Sequence, residues 1–509
     1  MVSYNKIIKF LKKHENILKY LSAFLVIFIS LVTRSVSVLT RDYAFGFDQG
    51  RDYIAAWDIA VNHKWTLIGA ELGAGVAGVG GLFHGPLHYY SLALPFIFFG
   101  GDPYGGLLLT FILGLLTIAA GFVLGRLLFN FWGGILLSLL IAISPQFIIQ
   151  SYFVWNSHST TLFIVLSFVF TYLIKEKKYL YTLLAAFFAG FTYNFELAVA
   201  VPLTFTLVIY VIFVLKIRSF KQYGFLILGL LLAYFPMLLF EARHDFMAST
   251  GILSYIFGSK SASPHPLQYY LLDHLVSVYY NFTDTFPRQS IIPYFLLLFL
   301  IPLSFYWILK EKAGSLKNFI IFCLLLIPCN FLVFAFLKNS VYTYYLLDLN
   351  IAYIVLIIYL FFKSYPLKSK IPLFVLIVLL VYFVGVAVIG GIRTFAHDIA
   401  DTGGLAKMSG KREAIDYIYK DALGKDFGLF VFTGPIYTYP YDYIVTWYGK
   451  DKYGYVPHKE KKGLVYLLIE VDTGNTHTYK GWLETVIKDG KVLKTIKLPS
   501  GLILQKRQF

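Results

Sequence analysis

Asp48, Arg51 and Asp52 crowd together in Phe47-Asp48-Gln49-Gly50-Arg51-Asp52-Tyr53, and two histidines follow in Phe83-His84-Gly85-Pro86-Leu87-His88. A carboxylate can take the proton of an attacking hydroxyl or amine, and a guanidinium can hold a departing anion such as a phosphate. If a helix begins near Gln49, Arg51 and Asp52 stand three and four residues beyond Asp48 on one face, where charges interact. The plain alternative is that Asp48 only caps that helix. Asp42, Asp52 and Asp58 are further carboxylates able to partner or replace it, Asp58 reading rather as structural. Trp57 and Trp65 offer flat faces for a sugar, although anchoring at a membrane interface is the commoner use of such residues.

More groups of the same chemistry lie downstream. Glu196, in Tyr193-Asn194-Phe195-Glu196, is a carboxylate near the end of an apolar run, placed to shape a sugar pocket. Arg243 and His244, in Phe240-Glu241-Ala242-Arg243-His244-Asp245-Phe246, end another run, where a cation is costly unless it meets an anion or reaches the interface. Tyr342, Tyr344 and Tyr345 occupy a further connection and read as groove-lining or belt aromatics. His84 and His88 beside a carboxylate could ligate a metal, but no HExxH pattern supports that reading. Gly73-Ala74-Gly75-Val76-Ala77-Gly78 spells GxGxxG without the preceding strand that a dinucleotide site needs, and reads as a mobile lid or an entrance for lipid.

The elements that must position these groups are apolar. The 509 residues are 58% hydrophobic and 14% charged, with 49 Phe and 40 Tyr, a composition no soluble globule of this length requires. The first run, about 17–38, follows Lys6, Lys9, Lys12, Lys13 and Lys19, and is long enough to span rather than to be cleaved as a signal peptide. Further runs fall at roughly 86–100, 105–125, 131–150, 159–174, 179–195, 197–215, 223–241, 291–309, 318–337, 341–362 and 371–392. Basic connections at Lys175 to Lys178, Lys216 to Lys221, Lys310 to Lys317 and Lys363 to Lys370 should face the cytoplasm, as should the N-terminus. The formal charge of +16 is explained by this pattern rather than by nucleic-acid binding. Parity then requires the stretch 86–104, interrupted by Pro86 and Pro95, to be shallow or re-entrant, which leaves eleven spans. The segments 39–104, 242–290 and 393–509 fall outside, and Asn281-Phe282-Thr283 reads as an outer glycosylation sequon. Cys323 and Cys329 share one apolar run and offer neither a disulfide framework nor a metal spacing.

After residue 392 the apolar runs shrink to strand length, at Phe427–Phe432 and Leu464–Ile469, with helical patterns at about 411–423, 438–449 and 477–488. Alternation over Lys491–Lys497 and the Pro499-Ser500-Gly501 turn before Leu502-Ile503-Leu504 read as a closing hairpin. The fold class is therefore an all-α polytopic bundle of about eleven transmembrane helices (1–392, with a first outer loop at 39–85) carrying a small extracytoplasmic α/β domain (393–509).

Asp-Gln-Gly-Arg-Asp-Tyr in the first outer loop, Phe-His-Gly-Pro-Leu-His-Tyr-Tyr opening the next run, and Gly-Asp-Pro before another together resemble the GT-C superfamily of membrane glycosyltransferases. The nearest branch is glycosyltransferase family 39, which includes protein O-mannosyltransferases and lipid A aminoarabinose transferases. That family more often has Asp-Glu where this chain has Asp48-Gln49, and His-Pro-Pro-Leu where it has His84-Gly85-Pro86-Leu87. The resemblance implies an inverting transferase in the plasma membrane that moves a sugar from a polyprenyl phosphate carrier to an extracytoplasmic protein, glycolipid or cell-envelope glycan. It implies Asp48 as general base, with Arg51, His84 and Arg243 as donor or phosphate contacts; Asp52, His88, Glu196 and His244 stand beside them as substrate-binding candidates by their positions in the sequence. No cofactor is required by it, with a divalent cation, Mg2+ or Mn2+, left as an alternative. A polyprenyl-phosphate transporter or flippase, or a non-catalytic glycolipid-binding protein, is the rival reading; no internal repeat favours the transporter.

Overall fold

The computed structural model describes residues 13–72, 81–257, 265–287, 292–335, 340–367, 370–400, 403–434, 437–472, 474–475 and 477–509. The GxGxxG stretch and Lys6, Lys9 and Lys12 lie outside them. Every apolar run forms helix: Glu15–Arg34, then Leu87–Ala93 with Phe96–Phe99, Tyr104–Leu128, Phe131–Ile143, Thr161–Leu173, Tyr179–Phe191 and Leu197–Ile209. Phe220–Ala233 with Phe235–Arg243, Ile292–Lys310, Ser315–Ala335, Leu347–Ser364 and Ile371–Ala400 complete the bundle. Among the described residues six helices are long and apolar enough to cross a bilayer, and the pair around Tyr234, bent by 67°, is a broken span or a re-entrant loop. Several others are only 13 residues long, which at 1.5 Å per residue covers about 20 Å, less than the hydrocarbon thickness. The stretch 86–104 is broken at Pro95 into two short helices, as its prolines require.

Side-chain contacts sort the helix ends. Lys363 pairs with Glu311, Phe129 stacks on Phe362 at 4.6 Å, Lys19 lies 5.6 Å over the Phe131 ring, and Tyr172 meets Phe319 at 5.6 Å. Gln222 Nε2 donates to the Lys175 carbonyl at 3.0 Å. All four basic connections therefore gather at one end of the bundle. At the other end the first loop meets the C-terminal domain through an Ala44–Lys407 bridge, and Phe83 meets Phe240 at 5.7 Å.

One break in the bundle has a clear local cause. Pro145 cannot donate to the Ile141 carbonyl, so the helix Phe131–Ile143 ends with unpaired acceptors. Arg34, fully buried, donates to the Ile141 and Ala142 carbonyls at 3.0 and 2.6 Å and to Ser151 Oγ at 3.1 Å. The guanidinium thereby pins the end of the first helix to the connection that leads to Trp155.

The segment 242–290 is more than an outer connection. It forms the helices Met247–Phe257 and Leu267–Thr285, and the second enters the bundle with Phe282 4.9 Å from Tyr353 and Phe286 5.4 Å from Phe383. Asn281 is 1% exposed and donates to the Thr343 and Leu346 carbonyls at 3.0 Å. The sequon reading is corrected accordingly: the Asn281 amide serves the chain break before Leu347–Ser364 and is closed to modification.

The helix Ile371–Ala400 leads into Met408–Ala422 and a four-stranded sheet of β1 (Gly428–Phe432), β2 (Leu464–Ile469), β3 (Lys491–Lys497) and β4 (Ile503–Gln508). The order is β1-β2-β4-β3, with β1 parallel to β2 and the hairpin antiparallel as its alternation implies. This domain docks on the first loop. Ser409 N donates to Asp42 Oδ1 at 3.1 Å, Arg412 reaches Asp102 Oδ1 at 3.0 Å, and Tyr443 donates to the Gly101 carbonyl at 2.6 Å. Gly50 is the tightest point, since a Cβ there would lie 2.3 Å from Pro440 N and 2.5 Å from the Tyr439 carbonyl carbon. Gly50→Ala should therefore cost about 2 kcal/mol through overpacking against immovable backbone. It should appear as a lowered Tm and faster proteolytic release of the C-terminal domain; an unchanged Tm would deny the contact.

Candidate active site

The helix Phe47–Ala60 starts two residues before the expected point, and its N-cap is Gly46, whose N–H donates to Gln49 Oε1 at 2.9 Å. Gln49 Nε2 donates in turn to the Val154 carbonyl at 2.7 Å, so this residue bridges two segments. With the cap supplied by Gly46 and Gln49, Asp48 is left in the first turn, where the helix dipole favours a carboxylate.

Asp48 Oδ1 pairs with Arg51 Nη1 at 3.0 Å, and Asp48 remains 35% exposed, reachable from outside. Arg51 Nε and Nη2 both contact Asp52 Oδ1, at 2.8 and 2.7 Å. Asp52 is buried, and its Oδ2 lies 3.2 Å from His88 Nε2. That approach lacks hydrogen-bond geometry, and neither ring nitrogen of His88 has a hydrogen-bond partner among the described residues. The order along this line is thus Asp48, Arg51, Asp52, His88.

Burial pushes the Asp48 carboxyl above its ordinary range, and the Arg51 charge, though it pulls the other way, does not cancel it. The indole of Trp155 also faces that carboxylate. Burial works against the Arg51 charge, but Asp52 and Asp48 outweigh it and hold the guanidinium more firmly protonated. Tyr89 is pushed up chiefly by burial and then by Asp52, with Arg51 acting against the shift.

His84 accepts the Leu197 N–H on Nδ1 at 3.0 Å and lies 3.7 Å from Glu196 Oε1. Burial lowers its pKa to about 3, so the ring is neutral at any ordinary pH. Glu196 is the N-cap of Leu197–Ile209 and accepts from Ala198 N at 3.3 Å. Gly85 follows His84 at a position where a proline could not serve. Its N–H donates to the Tyr193 carbonyl at 3.0 Å, and a Cβ there would meet Asn194 Oδ1 at 2.4 Å.

Arg243 is exposed at the end of Phe235–Arg243 and makes no ion pair among the described residues. His244 stacks on Phe240 at 4.1 Å and bonds its carbonyl through Nδ1 at 2.8 Å. Because Phe240 meets Phe83, this pair flanks the loop carrying His84. Asp42 is a docking residue, Asp58 pairs with Lys64 at the surface at 3.3 Å, Trp57 packs on Phe96 and Tyr443, and Trp65 is exposed against Tyr90.

Sequence reasoning passed over Trp155, His158 and Tyr89. Trp155 contacts Tyr344 at 4.6 Å and His158 at 5.3 Å, and Tyr344 stacks on Tyr342 at 5.3 Å, making an aromatic wall beside Asp48. His158 is lowered to about 4 by burial, against the Phe153 carbonyl. The signal was present in Tyr152-Phe153-Val154-Trp155-Asn156-Ser157-His158, a run too rich in aromatic and polar groups to be only a link between helices. Among the described residues no group of three or more His, Cys, Asp or Glu is arranged to hold a metal ion.

No family model matches the sequence, and no curated protein matches it. The fold does match solved structures. ArnT from Cupriavidus metallidurans bound to undecaprenyl phosphate aligns over 96% of this chain and 97% of its own, with a TM-score of 0.56 and 12% identity. The apo state of the same protein aligns over 97% and 98%, with a TM-score of 0.52 and 12% identity. The Archaeoglobus fulgidus oligosaccharyltransferase in complex with Zn and sulfate aligns over 95% and 72%, with a TM-score of 0.48 and 13% identity, a looser likeness from which nothing follows. The chain therefore shares the fold of ArnT, a helical membrane bundle with a small C-terminal sheet domain.

Proposed function

We propose that the chain is an integral-membrane glycosyltransferase that moves a sugar from a polyprenyl phosphate carrier to an acceptor outside the cytoplasm. The observation that carries this reading is Asp48, a partly exposed carboxylate held by Arg51 beside the Trp155 and Tyr344 rings, at the head of a fold shared with a protein solved bound to undecaprenyl phosphate. Asp48 takes the proton of the acceptor O–H or N–H. The freed nucleophile attacks the anomeric carbon, the bond from that carbon to the phosphate oxygen breaks, and the polyprenyl phosphate leaves with the electron pair. Attack opposite the leaving group inverts the anomeric centre. Arg51, saturated by Asp48 and Asp52, positions the base, while the unpaired Arg243 is the cation we assign to the phosphate, with His244 beside it. Asp52, His84, His88 and Glu196 hold this scaffold together around the sugar. The gathering of the basic connections at one bundle end supports a cytoplasmic N-terminus, eleven traverses and an outer C-terminal domain in a plasma membrane.

The test is turnover of a radiolabelled polyprenyl phosphate sugar by the purified protein in nanodiscs, with appearance of a new glycosidic bond. Vectorial movement of intact lipid-linked sugar without such a bond would make the protein a flippase instead. The pH profile gives a second check. A base must be ionised, so transfer should decline with unit slope as pH falls through the Asp48 pKa, and burial places that limb above the ordinary carboxylate value of about 4. His84, lowered to about 3, cannot produce a limb above the ordinary carboxylate value. A limb that survives unchanged in His84→Gln and vanishes in Asp48→Asn is the expected pattern.

A further inference from the structure

We propose that the free edge of β1 binds an extended polypeptide segment as an added strand, in a groove directed toward Asp48. β1 is the terminal strand of the sheet order, and on its outer side it is bridged at Gly428 to His458, which leaves the stretch beyond Leu429 N as the free edge. Its backbone parity is set by two bonds: Glu470 N donates to the Phe432 carbonyl on the β2 side, and Leu429 N donates to the His458 carbonyl on the other side, at 2.9 and 3.0 Å. Odd-numbered residues therefore face away from β2. Past His458 the Leu429 carbonyl and both backbone groups of Val431 have no hydrogen-bond partner among the described residues.

These groups open into a cavity of about 300 Å³. Its opposite wall is one helical face, Thr438, Tyr441, Asp442, Val445 and Thr446, at the i, i+3, i+4, i+7 and i+8 spacing. Val456, Pro457 and Lys459 close one end, with Lys459 and Asp442 ion-paired at 2.7 Å on the rim. An acceptor, a donor and another acceptor set out along a strand are complemented by the alternating groups of another extended backbone, two residues repeating in about 6.7 Å. The apolar valines and Pro457 take side chains from alternate positions. The rim charges cancel, so the segment need carry no net charge.

The direction follows from the chain beyond β1. Tyr437 and Tyr439 stack on each other at 5.3 Å, and their rings lie 5.5 and 5.3 Å from Phe47, the neighbour of Asp48. A segment leaving the groove at the C-terminal end of β1 thus runs toward the carboxylate. In giving that segment the acceptor role the inference rests on the transferase reading; the binding itself does not.

The test uses the full-length protein in nanodiscs and a fluorescein-labelled octapeptide of alternating Val and Thr, read by fluorescence anisotropy. Two further probes carry N-methyl groups at every second amide, in one register or the other. Saturable binding is expected, weakened at least tenfold by one register of N-methylation and spared by the other. Val431→Pro deletes the one donor facing the groove without touching a β1–β2 bond, and Thr446→Trp fills the groove from the exposed helix face. Each should weaken binding at least tenfold. Absence of binding at 1 mM peptide, equal effects of both registers, displacement by maltohexaose as effective as by unlabelled peptide, or indifference to both substitutions would overturn the proposal. Donor turnover is read separately in the parent protein, so its absence alongside register-specific binding would remove the transferase reading and leave the groove assigned.

Discussion

Asp48→Asn is expected to leave the protein folded and able to hold a polyprenyl phosphate while lowering turnover of the lipid-linked donor about a thousandfold, the usual range for loss of a general base. That factor corresponds to about 4 kcal/mol of activation free energy. Asparagine keeps the shape and an oxygen for Arg51, so the geometry at 3.0 Å survives while the proton acceptor is lost. Folding should not suffer. Because the carboxyl is raised above its unfolded value, its charge is disfavoured in the folded protein at neutral pH, and removing that charge relieves a cost rather than imposing one. The expected Tm is therefore equal to or slightly above that of the parent. The discriminating measurements are donor turnover, thermal unfolding in nanodiscs, and native mass spectrometry with undecaprenyl phosphate. Turnover within threefold of the parent would remove Asp48 as base.

The helices were legible because their apolar runs are long and their ends are marked by lysine and proline, and the closing hairpin because two short strand-like runs flank the turn that Gly501 makes at φ +90°. Asp48 and Arg51 were legible for a related reason, since residues three apart on a helix meet whatever the rest of the chain does. The partners of Asp52 and Asp102 were not. His88 and Arg412 reach them through contacts 36 and 310 positions away in sequence, which no local pattern encodes. Leu267–Thr285 was missed as a bundle helix because its buried face carries Tyr270, His274, Ser277 and Asn281 in place of aliphatic residues. Those side chains serve the tertiary structure, as Asn281 serves the backbone at Thr343 and Leu346, and they remove the apolar signal that would have announced the helix. Trp155 was hidden likewise, in a connection whose position depends on Arg34 and Gln49 holding it from two other segments.

Arg51→Gln should do more damage to stability than Asp48→Asn and nearly as much to turnover. Arg51 is the charge that compensates Asp52, which is 1% exposed and among the described residues has His88 besides. Removing one partner of a buried pair leaves an uncompensated charge, at a cost of about 3–5 kcal/mol. Asp48 loses its stabilising cation at the same time, which moves its pKa further upward and shifts the acid limb of the rate profile toward neutrality. Arg51→Lys separates the two effects. A lysine supplies the charge but cannot contact Asp48 and Asp52 together as a planar guanidinium does, so stability should be largely restored while turnover stays ten- to a hundredfold low. Adding Asp52→Asn to Arg51→Gln should recover most of the lost Tm, because the orphaned carboxylate is gone, without recovering turnover. If instead the double variant is no more stable than Arg51→Gln alone, the Asp52 pairing carries no weight in the fold, and the positioning of Asp48 must be traced to Gly46, Gln49 and Trp155.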